Sequence, residues 1–261
     1  MPDLDLFTFI QYHLGFFLLI FARISGIFTT APVFGSRNIP SYAKVSLALA
    51  LTYLIAPIVT RPNAIPDSLY PYLFIVIGEF LIGLIIGFAS SLVFSAVQMA
   101  GQLLDMQIGF GIVNIFDPLL GQQMPLIGNF KYILALIVFL STNGHHILLT
   151  ALVSSFKLIP LTGIVLHSAL TNVMVEMVGG IFILAIKVSL PVLVAIFLTD
   201  IALGILARTM PQMNIFVVGI PGKIIVGIFV LSLALPFYVM FLEVAFNGMY
   251  KDIYRLLRAF A

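Results

Sequence analysis

Three stretches of the chain, at about 69–104, 173–206 and 215–246, stay apolar for longer than a lipid bilayer needs. A helix crosses the roughly 30 Å hydrocarbon core in about 20 residues. Stretches of this length must tilt, bend or run beyond the membrane, and only helices or closed barrels satisfy their own backbone in an apolar medium. Further apolar runs at about 9–33, 42–60, 126–141 and 146–158 complete the pattern, the last of them too short to cross alone. The expected fold is therefore all-α and of membrane type, with long kinked helices and helical hairpins. Pro191, Pro221 and Pro236, with the pair Gly179 and Gly180, mark the expected bends. Composition agrees: 62% of residues are hydrophobic and 8% are charged, against about 25% charged in a soluble domain.

Several function classes are excluded on the same grounds. A net charge of +2 without a basic run leaves no electrostatic footprint for nucleic acid. With no cysteine there is no disulfide, thiolate metal site or thiol nucleophile. His145 and His146 are adjacent, so on a helix they point apart, and they read as a polar helix start, not as metal ligands. No zinc-helix, nucleophile-elbow, P-loop or dinucleotide motif is present, so neither catalysis nor a cofactor is expected. Asp3 and Asp5 stand where a secretory signal would carry Lys or Arg, and the first apolar run is read as retained. Arg37, Arg61, Lys157 and Arg208 favour neither side of a membrane. In the tail, Lys251, Arg255 and Arg258 oppose Ile253, Leu256 and Leu257, as in an amphipathic helix lying at a surface or on a partner.

Two features carry the rest. Gly83, Gly87, Ser91 and Ser95 recur every fourth residue and form a small-residue face that lets helix backbones approach, inside the chain or against a partner subunit. Ionisable residues within the apolar runs (Arg23, Glu79, Glu176, Lys187, Asp200, Lys223 and Glu243) are costly in hydrocarbon and are expected to pair within or between subunits. Lys187 and Asp200 lie more than three turns apart, so their partners belong to other helices or chains. The stretch GQLLDMQIGFGIVNIFDPLLGQQMP at 101–125 breaks the pattern: its glycines, with Asp117 and Pro118, oppose helix, yet it is too apolar for a wet loop.

The motifs TAPVFGSRNIP at 30–40, MQIGFGIVNIFDP at 106–118, MP at 124–125, NGHH at 143–146 and RTMPQMNIFVVGIPGK at 208–223, in this order and spacing, are specific together. The chain resembles the FliR family of the flagellar type III export gate over essentially its whole length. The virulence counterpart is SctT, and the run PQMNIFVVGIP leans toward the flagellar branch, with Ile220 in place of a frequent aromatic. The resemblance implies a subunit of the bacterial inner membrane and flagellar basal body. It further implies that residues 185–261 resemble the two-helix subunit FliQ, and that residues 1–184 take the part of FliP. One copy would close an assembly of FliP and FliQ, beside FlhB and FlhA, that passes unfolded export substrates. It also implies contact surfaces that include Lys187, Asp200, Arg208, Pro211, Gln212 and Pro221, and a pore plug within 105–124.

The physical case for a plug stands beside the resemblance. A pore for unfolded protein must hold back ions when idle, so its seal must exclude water and still yield. Gly109 and Gly111 supply backbone freedom and Met106 a flexible side chain. Phe110, Ile112, Val113, Ile115 and Phe116 supply apolar bulk; Gln107 and Ile108 lie between, and Asp117 with Pro118 sets a turn. The alternative is a stand-alone transporter or channel with this stretch as a re-entrant filter. That reading calls for two similar halves, and no internal repeat is found.

Overall fold

The computed structural model describes residues 6–36, 38–62, 65–66, 68–112, 125–163, 168–212 and 214–260. Seven helices account for most of them: α1 Leu6–Thr30, α2 Ser41–Ile55, α3 Leu69–Ile108, α4 Leu126–Ser141, α5 Gly144–Leu158, α6 Ser168–Thr209 and α7 Ile215–Phe260. One 3-10 turn follows α3 at Phe110–Ile112, and the described residues contain no strand. Four helices are long and apolar enough to cross a membrane, and α4 with α5 makes a fifth if the two count as one broken span. The break falls at Asn143, which adopts a left-handed φ of 57°, a conformation open to Asn through its short polar side chain.

The long runs exceed their expected bounds. Helix α3 has 40 residues, α6 has 42 and α7 has 46, nominally about 60–70 Å at 1.5 Å per residue. Helix α6 continues through Pro191, and α7 continues through Pro221 and Pro236. Helix α3 also absorbs Gly101, against the expectation that glycine there ends the helix. The reason is packing: a Cβ at Gly101 would overlap the backbone of Gly128 on α4, so the glycine permits a close helix crossing.

The chain divides into two compact units. The first comprises Met1–Leu92, Asn143–Met177 and Asn247–Ala261. Leu19 and Ile24 of α1, Ile82 and Ile86 of α3 and Leu152 of α5 are almost fully buried in its core. The tail of α7 belongs to this unit, and its amphipathic pattern is present. Lys251, Arg255 and Arg258 are exposed, whereas Ile253, Leu256 and Leu257 are buried. The apolar face is thus covered by the chain's own helices, not left for a surface or partner as the pattern alone suggested. Arg255 pairs with Glu176 at 2.8 Å, and the hydroxyls of Tyr254 and Ser154 lie 3.5 Å apart.

The second unit comprises Val93–Thr142 and Val178–Phe246. Phe94, Phe139 and Phe246 meet with ring centroids 5.3–5.4 Å apart, a spacing at which edge-to-face and offset aromatic pairs are favourable. A second cluster joins Leu104 and Ile108 of α3, Ile127 of α4, and Val192 and Ile196 of α6.

Candidate functional site

Two constructions stand out, one in each unit. In the first, α1 and α3 cross backbone to backbone. A Cβ at Gly83 would overlap the carbonyl of Arg23, one at Gly26 would come within 2.7 Å of the amide nitrogen of Leu84, and one at Gly87 would overlap the side chain of Thr30. Thr30 Oγ1 donates to the Leu84 carbonyl at 3.1 Å across the same crossing. The first half of the small-residue face is therefore used inside the chain. Ser91 returns its hydroxyl to the Phe88 carbonyl, and Ser95 is exposed.

The approach brings Arg23 and Glu79 together, each one turn before its glycine and each wholly buried. Arg23 Nε donates to Glu79 Oε2 at 2.6 Å, and Nη2 lies 2.6 Å from the same oxygen. Arg23 Nη1 donates to the Ile159 carbonyl at 3.0 Å and to Ser155 Oγ at 3.4 Å, while the guanidinium lies 4.4 Å from the ring centroid of Phe156. On the other side, the Thr162 amide donates to Glu79 Oε1 at 3.1 Å. Thr162 has φ 71°, an unfavourable region for a β-branched residue. One ion pair thus fixes α1, α3, the end of α5 and the turn after it.

In the second unit, the site is the base of the apolar segment that follows α3. Asp105, 5% exposed, accepts the amide N–H of Ile127 at 3.0 Å and of Gly128 at 3.1 Å. These are N–H groups of the first turn of α4, whose own N-cap, Pro125, offers no side-chain acceptor. A carboxylate near the end of α3 thus caps the start of α4 and ties together the two ends of the intervening chain. Gly109, at φ 106°, then takes the chain out of the helix in a conformation that favours glycine.

The predicted plug residues divide here. Met106, Gln107 and Ile108 lie in α3, so the helix ends at Ile108 and the expected break falls at Gly109 and not at Met106. Met106 and Gln107 are exposed; Ile108 is fully buried and packs against Gly227 of α7 in this unit's core. Phe110 packs partly against the same core. Gly111 and Ile112 complete the 3-10 turn, whereas Val113, Ile115, Phe116, Asp117 and Pro118 lie outside the described residues. Asp105 escaped the sequence reading, although an acidic residue one turn before a glycine break in an apolar run was the available signal.

Removing this cap has a definite expected outcome. Asp105→Ala leaves two N–H groups of α4 without acceptors, which costs about 1–3 kcal/mol. Asp105→Asn keeps one acceptor oxygen and loses less. Thermal unfolding of the co-expressed complex in detergent measures the difference, and equal midpoints for Asp105→Ala and wild type would contradict the capping role.

The remaining expected contact residues are spread over the second unit. Asp200 pairs with Lys223 of α7 at 2.8 Å, so its partner does lie on another helix. Arg208, Pro211, Gln212 and Pro221 are exposed, as is Lys187. Among the described residues, Lys187 and Glu243 make no ion pair. His145 and His146 occupy the first turn of α5, their rings 4.2 Å apart.

Closely crossing apolar helices, buried charges used for structure and four or five candidate spans define an all-helical protein of membrane type. The chain belongs to the bacterial export proteins, family 1, whose model matches residues 14–249. It is 39% identical over 223 residues to the flagellar biosynthetic protein FliR of Bacillus subtilis (strain 168), covering 82% of this chain and 84% of that protein. It is 34% identical to FliR of Pectobacterium carotovorum subsp. carotovorum over 88% of each chain. For FliR of Escherichia coli (strain K12) the identity is 31%, over 88% of this chain and 87% of that protein. The family resemblance drawn from the motifs therefore holds: this is a member of the FliR family, a component of the flagellar export apparatus and not of an enzyme family.

Proposed function

We propose that the chain closes a helical assembly of FliP-type and FliQ-type subunits in the flagellar type III export gate, and that residues 105–124 plug the channel at rest. On this reading, residues 185–261 take the place of a FliQ hairpin and residues 1–184 that of a FliP subunit. FlhB and FlhA are neighbours, unfolded export substrates are the cargo, and the site of action is the basal body in the bacterial inner membrane. The observation that carries this reading is the uncovered surface of α6 and α7. Only 28% and 11% of their most apolar stretches are buried, and both helices are about twice the length that lipid alone would cover. Surface of this kind calls for protein neighbours.

Co-expression is the test. Expressed alone, the chain should aggregate or be degraded; expressed with FliP-type and FliQ-type subunits, it should purify in one complex of discrete mass. A monodisperse monomer with no affinity for those subunits would contradict the proposal.

A further inference from the structure

In the second unit, a cavity of about 160 Å³ opens between α4, α6 and α7, with Lys131, Lys187, Pro191 and Tyr238 in its wall. Lys131 is 3% exposed. Its ammonium, with three donors, makes one long hydrogen bond of 3.4 Å to the Val188 carbonyl and lies 4.9 Å from the Tyr238 ring centroid. The Tyr238 hydroxyl is turned to the Lys131 carbonyl, to which it donates at 2.9 Å, and the ammonium faces its ring. Lys187, an exposed residue, lines the same wall. Of the unit's described acidic side chains, Asp105 caps α4, Asp200 pairs with Lys223, and Glu243 does not line the cavity. A buried ammonium with one long hydrogen bond, in a mostly apolar recess whose wall carries no acidic side chain of this unit, is costly unless a negative group enters.

We propose that this cavity receives the carboxylate of an Asp or Glu borne on an apolar helix of a neighbouring subunit. The inference rests on the reading that the chain works inside an assembly, and it names one contact of that assembly. The cavity lies near the middle of α6 and α7. Exposed apolar side chains continue along both helices in both directions from it: Phe182, Val194 and Phe197 on α6, Phe229 and Val244 on α7. A lipid carries its charge at one end, with water beyond. An acidic residue within an apolar helix carries its charge between two apolar stretches, which is the pattern presented here. Its desolvated, doubly paired carboxylate would fix the register of the incoming helix.

The experiment uses the co-expressed complex, treated with a carbodiimide that joins an amine to a carboxylate with no spacer, and reads the joined peptides by mass spectrometry. Lys187 should be found linked to an Asp or Glu of another polypeptide. In the Lys131→Met/Lys187→Met variant, recovery of that polypeptide with the tagged chain should fall roughly tenfold, equivalent to about 1.4 kcal/mol. The Lys131→Arg/Lys187→Arg variant should retain it. Lys187→Glu changes an exposed position and leaves the fold intact. It should lower recovery as well, and a Lys in place of the linked acidic residue should restore it. Undiminished recovery in the Met variant, or loss of a bound anionic phospholipid in its place, would overturn the carboxylate assignment while leaving the assembly reading intact. Failure of the wild-type chain to assemble at all would overturn both.

Discussion

Glu79→Leu is expected to destabilise the chain by about 3–5 kcal/mol, the range for removing one partner of a buried ion pair, and so to deplete it from the membrane fraction of cells. Arg23 would keep its charge inside a core where both side chains are at 0% exposure. The Thr162 amide would also lose the carboxylate that holds it in a left-handed turn. The double variant Arg23→Met/Glu79→Leu separates charge from shape. Replacing a whole buried pair by apolar residues of similar volume is often neutral, so the double variant should recover much of the loss. Membrane-fraction abundance and thermal unfolding of the co-expressed complex in detergent measure both variants. A single variant as stable as wild type would show that the pair does not hold the unit together.

Gly83→Leu is expected to be as damaging, for a reason that involves no charge. A single carbon at this position would already overlap the Arg23 carbonyl on α1. Four carbons force α1 and α3 apart, and overpacking of this kind costs about 3 kcal/mol or more where the obstacle is backbone. Separation of the helices would also pull Glu79 from Arg23, so the two effects are coupled and should not add. Gly179 and Gly180 of α6 are the control, because a Cβ at either has nothing within 4 Å. Leucine at those positions should change the stability of the co-expressed chain by less than about 1 kcal/mol. Equal unfolding midpoints for Gly83→Leu and Gly180→Leu would contradict the close-crossing account.

The residues that reveal the fold in the sequence differ in kind from those that complete it. Apolar runs give helices because a long apolar segment has few other ways to satisfy its backbone, and all seven runs recur as helices. The four-residue spacing of Gly83 and Gly87 marked a face, but spacing alone does not name what lies against it; the carbonyl of Arg23 does. Arg23 and Glu79 were legible as charges that need partners, yet 56 residues separate them, and no local rule joins positions so far apart. Asp105, just past an apolar run, and Lys131, within one, carry no local signal of their partners. Their roles depend on the start of α4 meeting the end of α3, and on α6 and α7 enclosing a cavity, which are tertiary facts. Gly101 was misread because a glycine that opens room for a neighbouring helix has the same letter as one that breaks its own.

The central claim is that the apolar segment after α3 seals an export channel, and the resting conductance of the assembled complex tests it most directly. Residues 110–124 would be replaced by a few Gly and Ser residues, with Asp105, Ile127 and Gly128 kept so that the caps on α4 survive. Conductance in planar bilayers and dye entry into cells with export otherwise inactive would then be compared with wild type. The account predicts that the shortened chain still assembles and that its complex leaks ions and small solutes at rest. An assembled complex with the shortened segment that is as tight as wild type would contradict it.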